Sequence, residues 1–337
     1  MGRIEKAVRN AIDEHPLKQA LLNNHHYYAD FVEAANSICN SFSNNQFRSF
    51  IDKFKVNKGY DYWQYLQSAS ELTVLYYIKR YYNNGFNYEP KLNENSNMNP
   101  ECSFLDNGIQ VNVEVKCPNL QKRIEQESSP KLKVSLGHRI PGLGGDGKVN
   151  KIFRSDERNS PIQLVERLDT KLRSFIENAQ KKFPESTDKN FNILVISADI
   201  LGDMDDFYSG LFGLEGAFTE QSFITNEYDR IDAIMLTNIM SGHINWAKQD
   251  SDTWHLEQYV NILLLNPDRQ ESETGKYYFK NGGAMLFGRT TADFLDFLRK
   301  LDEEDKAKKE TIDGKLATEA RIITQFCSYL RTKTGED

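Results

Sequence analysis

Cysteine is scarce in this chain, with four among 337 residues, at Cys39, Cys102, Cys117 and Cys327. None is spaced Cys-x-x-Cys, so there is no zinc or disulfide framework, and the usage fits a reducing compartment. Cys102 and Cys117 could face each other across a hairpin, but two free thiols are the simpler expectation. Long apolar runs are also missing. Nothing approaches the roughly 20 residues that span a bilayer. The opening "MGRIEKAVRNAIDEHPLKQ" has no apolar signal-peptide core. Its Met-Gly start lacks the hydroxyl residue that myristoylation favours. The expectation is a cytoplasmic protein with no membrane attachment. An excess of positive charge is absent too: 42 Lys and Arg against 49 Asp and Glu leave a net charge of -7. A chain that coats nucleic acid indiscriminately is thereby disfavoured, whereas a local basic groove is not.

What is present is a globular composition, 39% hydrophobic and 12% aromatic, long enough to bury a sizeable core. Residues 1–84 carry apolar positions at three- and four-residue steps and read as helical. Gly59 is expected to end a short helix there. A second helix in "SASELTVLYYIKRYYNNG" is expected to be capped by Ser68 or Ser70 and to stop at Asn84-Gly85. On that reading Glu71 sits in a first turn, where an acid is favoured anyway. The helix is apolar on nearly every side and should be buried, with its "YYIKRYY" aromatics in the core and Lys79 and Arg80 at its end.

Strands are expected at 86–89, at 102–105 and at 109–116. The last, "IQVNVEVK", alternates Ile109, Val111, Val113 and Val115 with Gln110, Asn112, Glu114 and Lys116. Asp106-Asn107-Gly108 between the last two is a hairpin turn signal. Residues 117–160 read as an irregular, functional or mobile insert. A helix is expected to open on Ser160-Pro161. Apolar runs at 191–199, 231–238 and 260–266 suggest strands covered on both faces. From Thr291 onward the chain reads as C-terminal helices. The fold class is therefore α/β with a central mixed sheet. Residues 1–60 form a helical N-terminal extension, 61–290 the α/β domain and 291–337 the C-terminal helices.

Glu114 and Lys116 share one strand face, about 7 Å apart along the chain, with Glu101 at the start of the preceding strand. Hydrolysing a phosphodiester with a metal needs hard oxygen ligands, a positioned water and a cation near the phosphate. Acids on adjacent strands plus a lysine meet that need. A salt-paired hairpin surface would show the same residues. The tripeptide alone means little, because Glu304-Asp305-Lys306 repeats it in a charged segment with no strand and no apolar opposite face.

Glu71 on a helix, "NPE" ending at Glu101, a hairpin and then "VEVK" together resemble the PD-(D/E)XK nuclease superfamily, the restriction-endonuclease-like core. Its α-β-β-β-α-β order matches residues 68–198, about two fifths of the chain. Glu101 departs from the usual Asp, and the long insert is unusual. The resemblance implies a restriction-endonuclease-like fold and a metal-dependent DNA endonuclease. Glu101, Glu114 and the Val115 carbonyl would hold Mg²⁺ or Mn²⁺. Lys116 would be the catalytic lysine, and Glu71 a further ligand or water-orienting group. Asp106 is a fallback ligand. It also implies a homodimer and a role in restriction or defence against foreign DNA, with or without a partner subunit. The alternatives are an inactive nucleic-acid- or protein-binding module of that fold, and a P-loop-like nucleotide hydrolase.

The insert adds Lys122, Arg123, Lys131, Lys133, Arg139, Lys148, Lys151 and Arg154 against Glu125, Glu127 and Asp146, a local charge of +5. Next to a phosphodiester site this reads as a loop that grips backbone phosphates; the plainer reading is a solvated loop. Its "GLGGDGKV" approaches a Walker A loop, but Val149 stands where a hydroxyl residue should hold Mg²⁺. His25 and His26 are adjacent, without an acid partner, and are expected at an exposed or capping position.

Overall fold

A computed structural model of the protein describes residues 2–56, 59–92, 98–118, 132–134, 162–164, 168–199, 201–213, 216–219, 228–248, 252–269 and 272–280. Five helices come first: α1 (Arg3–Arg9), α2 (Pro16–Leu22), α3 (His26–Cys39), α4 (Asn44–Lys53) and α5 (Tyr62–Tyr81). Histidine caps two of them. The Nδ1 atoms of His15 and His25 accept from the backbone N–H groups of Leu17 and Tyr27 and open α2 and α3. Ser43 and Gln46 form a capping box at the start of α4.

α5 differs from expectation at its start. Asp61, not Ser68 or Ser70, is the N-cap, accepting from Gln64 N at 3.0 Å. The apolar pattern before Ser68 includes Tyr65 and Leu66, both fully buried, and burial carries the helix back two further turns. Glu71 therefore lies in the helix interior, where a helix-terminus charge effect does not reach it. The helix ends at Tyr81, and α4 ends at Lys53 rather than at Gly59, which turns the connecting loop with φ +91.

The sheet is six-stranded and mixed, in the order β1-β2-β3-β6-β7-β8. β1 (Asn87–Tyr88), β2 (Cys102–Asp106) and β3 (Ile109–Lys116) form an antiparallel run, β1 with β2 and β2 with β3. β6 (Asn190–Ser197) lies parallel to β3, β7 (Ala233–Thr237) parallel to β6, and β8 (Asn261–Leu265) antiparallel to β7. Asn107 and Gly108 turn the β2–β3 hairpin with φ +48 and +84, a two-residue loop that needs both residues in the left-handed region. Helices flank the sheet. α5 packs on β3, α3, α4 and α8 (Ile239–Ile244); α6 (Leu168–Lys182) packs on α7 (Leu201–Phe212), and α7 on β7. α9 (Glu273–Lys280) follows β8.

One expectation beside the insert is corrected. Ile162–Leu164 is not the first turn of a helix but strand β5, paired parallel to β4 (Leu132–Val134), and the helix begins only at Leu168. Short apolar runs fit either period, and here the ladder wins. The C-terminal helices expected from Thr291 lie outside the described residues.

One hydrophobic cluster runs from Ile4 through α3, α5 and the sheet to Tyr278. The N-terminal helices thus share their core with the sheet. Among the described residues no helix is long and apolar enough to cross a membrane.

Candidate active site

β3 is the middle of the site. Both of its faces are covered, so the polar set is not a hairpin surface: Asn112 and Glu114 are fully buried, as are Val111, Val113 and Val115. Asn112 is satisfied by its neighbour in register, donating to Asn192 Oδ1 at 2.8 Å. Glu114 is not so simply satisfied.

Three carboxylates come to this end of the sheet from three elements. Glu114 projects from β3, Glu101 from the residue before β2, and Glu71 from the interior of α5. Their exposures are 0%, 7% and 6%. Charged groups so deeply buried must be paired, and lysines pair them in an unbroken chain. Lys53 Nζ lies 3.9 Å from Glu71 and 3.3 Å from Glu101. Lys182 Nζ lies 3.7 Å from Glu101 and 2.6 Å from Glu114. Lys116 Nζ closes the chain, 2.6 Å from the same Glu114 oxygen, Oε1. Lys53 also touches Glu89 at 2.6 Å, and Gln67 donates to Glu71 at 2.9 Å.

These ion contacts do not align as hydrogen bonds at Glu114. Both of its oxygens are buried without a hydrogen-bond partner among the described residues. The two lysine contacts at 2.6 Å are to Oε1, and Oε2 is left as a buried acceptor without a hydrogen-bond partner among the described residues.

Burial and the proximity of Glu101 push the Glu71 carboxyl up to about 8, against the opposing pull of Lys53 and Gln67. Burial, and again Glu101, raise Glu114 above the usual carboxylate range, while Lys116 and Lys182 pull it back. Burial alone would lower Lys116, but Glu114 beside it raises it, so the ammonium keeps its proton. Lys53 is held charged in the same way by Glu101 and Glu71.

The donor set suits a hard cation. All three acids offer oxygen, and Glu114 Oε2 is an acceptor without a hydrogen-bond partner among the described residues. As the side chains stand, no three acids, histidines or cysteines among the described residues converge on one point as a metal cluster. Lys53 and Lys182 stand between the carboxylates instead.

The backbone contributes as well. Glu101 N donates to the Val113 carbonyl at 3.0 Å, and β2–β3 pairing ends at Cys102–Val113. By strand alternation the Val115 carbonyl faces the same edge, beyond the end of β2.

Four of the expected site residues, Glu71, Glu101, Glu114 and Lys116, are thus brought together. Asp106 is not. It lies at the opposite end of β2, about 15 Å along the strand, where it accepts from Tyr278 Oη and Asn107 Nδ2, both at 3.0 Å. Lys79 and Arg80 are engaged elsewhere: Lys79 lies over Phe86, and Arg80 lies over Tyr81 and against His255. Lys133 lies on β4. Lys122, Arg123, Lys131, Arg139, Lys148, Lys151 and Arg154, and with them the glycine-rich "GLGGDGKV", lie outside the described residues. Lys53, Lys182, Glu89 and Gln67 were invisible to the sequence reading. Lys53 and Lys182 end their helices as last-turn lysines of the ordinary kind, and only packing gives them a role. Comparison with protein-family models, curated proteins and solved structures finds no match to this chain.

Proposed function

We propose that this protein is a metal-dependent DNA endonuclease with a restriction-endonuclease-like core. The reading rests on one observation: Glu71, Glu101, Glu114 and Lys116 meet at one end of the six-stranded sheet, on elements in the order helix, three strands, helix, strand once the separate β4–β5 pair that precedes α6 is set aside. The substrate class, the homodimer and the role against foreign DNA, alone or with a partner subunit, come from the resemblance noted in the sequence, and the cytoplasmic setting from its cysteine usage and lack of a signal-peptide core.

Glu101, Glu114 and the Val115 carbonyl would hold Mg²⁺ or Mn²⁺, with Glu71 as a further ligand or water-orienting group. The bound cation supplies Lewis-acid polarisation of the scissile phosphate and of the attacking water. Lys116, 2.6 Å from Glu114 Oε1, would stand beside the bound cation and the attacking water. Its part is to orient the water and to offset charge developing on the phosphate. Lys182, on the same Glu114 oxygen, adds a second positive charge in this buried setting.

The test is incubation of supercoiled plasmid with the full chain and Mg²⁺ or Mn²⁺, beside Glu114→Gln and Lys116→Ala. The expected result is cleavage that falls on the order of 100-fold or more in each variant. Cleavage indifferent to both substitutions refutes the site.

The second reading, an inactive nucleic-acid- or protein-binding module of the same fold, has its own support in the lysines that already neutralise the carboxylates. Intact plasmid with every metal, together with a retained shift of DNA in a gel, would select it.

A further inference from the structure

Of the three lysines in the chain of charges, Lys53 has a second place to go. Its ammonium lies closest to its outermost partner: 2.6 Å from Glu89, 3.3 Å from Glu101 and 3.9 Å from Glu71. The Glu89 side chain is 40% exposed, whereas those of Glu71 and Glu101 are 8% and 9%. Tyr88 lines the same outward path, its ring centroid 5.4 Å from the ammonium. Glu89 itself is pinned, its backbone N–H donating to the Glu101 carbonyl at 2.9 Å. Lys116 and Lys182 have no such exit among the contacts described: both end on buried Glu114, Lys182 also on Glu101.

Resting on the metal-dependent reading above, we propose that Lys53 is a built-in counter-cation occupying the space between Glu71 and Glu101, and that a divalent ion enters by displacing it toward Glu89. The physical ground is competition between like charges. Two cations a few ångströms apart in a buried setting repel by several kcal/mol, so an ion between Glu71 and Glu101 disfavours Lys53 at its present place, and of the three lysines it is the one with an outer partner to move to. Glu114 Oε2, which has no hydrogen-bond partner among the described residues, supplies a further acceptor. Lys53 stabilises the metal-free protein by pairing with Glu101 beside Glu71, and for the same reason it weakens metal binding.

The test is calorimetric titration of the full chain with MnCl2 alone, with thermal melts run with and without the ion. Lys53→Met is expected to bind Mn²⁺ about tenfold more tightly or better, to melt lower without metal and to gain more from it. Glu89→Gln removes the outer resting place at an exposed position and is expected to weaken Mn²⁺ binding. In the Lys53→Met background Glu89→Gln should have no further effect. Glu114→Gln should abolish the binding, showing that the titrated site is this one.

Wild-type protein that binds Mn²⁺ no more weakly than Lys53→Met overturns the displacement but leaves the nuclease reading intact. Absence of Mn²⁺ binding in both overturns the two together. Should Lys53→Met fail to fold, an unchanged affinity in Glu89→Gln overturns the displacement by itself.

Discussion

His243 shows how much a single buried side chain can be made to specify. Its Nδ1 lies 2.9 Å from Tyr27 Oη and its Nε2 3.0 Å from Thr73 Oγ1. The Thr73 hydroxyl donates to the Ala69 carbonyl, so it must accept from His243 Nε2–H, and Tyr27 must donate to Nδ1. The arrangement accommodates a neutral ring only, and burial lowers its pKa to about 3. In the unfolded chain the same ring takes up a proton near pH 6.5. The contribution is therefore complete above about pH 6.5 and is lost as pH falls toward 3, at up to roughly 1.4 kcal/mol per pH unit. His243→Gln removes the titration. We expect it to destabilise the protein by about 1–3 kcal/mol at pH 7 and to flatten the decline in urea-unfolding stability between pH 6 and pH 4. An unchanged slope would show that another group carries the acid sensitivity. The same contrast between residue type and surroundings limits what the sequence could say of the site. Glu114 and Lys116 were readable because strand alternation fixes their shared face, and Glu71 because an acid on an apolar helix needs a partner. Lys53 and Lys182 were not, because nothing local separates a lysine that caps a helix end from one that reaches into a core.

At the scale of elements, alternation and apolar runs located the principal strands. Ile109–Lys116 agrees to the residue with the expected 109–116. The boundaries that failed are those decided by tertiary packing. α5 begins two turns early because Tyr65 and Leu66 are buried, and Ile162–Leu164 becomes a strand because Leu132–Val134 lies beside it. The segment after β7, whose sequence raised no expectation of its own, contains helix α8, packed on α5. The start of α5 also offers a direct measurement. Asp61→Ala removes the acceptor for Gln64 N and should cost about 1 kcal/mol, read as a lower urea midpoint with an unchanged slope. An equal loss in Ser70→Ala but none in Asp61→Ala would restore the later helix start.

At the scale of the whole molecule, the N-terminal helices are part of the core and of the site. Val8, Leu17, Tyr27 and Phe31 belong to the same buried cluster as β3 and β6, and Lys53 belongs to the chain of charges. Deleting residues 1–60 should therefore leave a remainder without a cooperative thermal transition, as measured by circular dichroism. A shortened chain that melts sharply would mark those helices as dispensable. No reading of residues 1–60 by periodicity reaches this, because periodicity reports that a helix has a buried face and not what it is buried against.

The Trp254 indole N–H donates to the Tyr27 carbonyl at 2.9 Å, across 227 positions of sequence. A ribosome releases Tyr27 long before it has made Trp254. α3 must then wait, its aromatic face uncovered, for almost the last strand of the sheet. The protein's first helices and its later segments become one body only as synthesis of the α/β region nears completion.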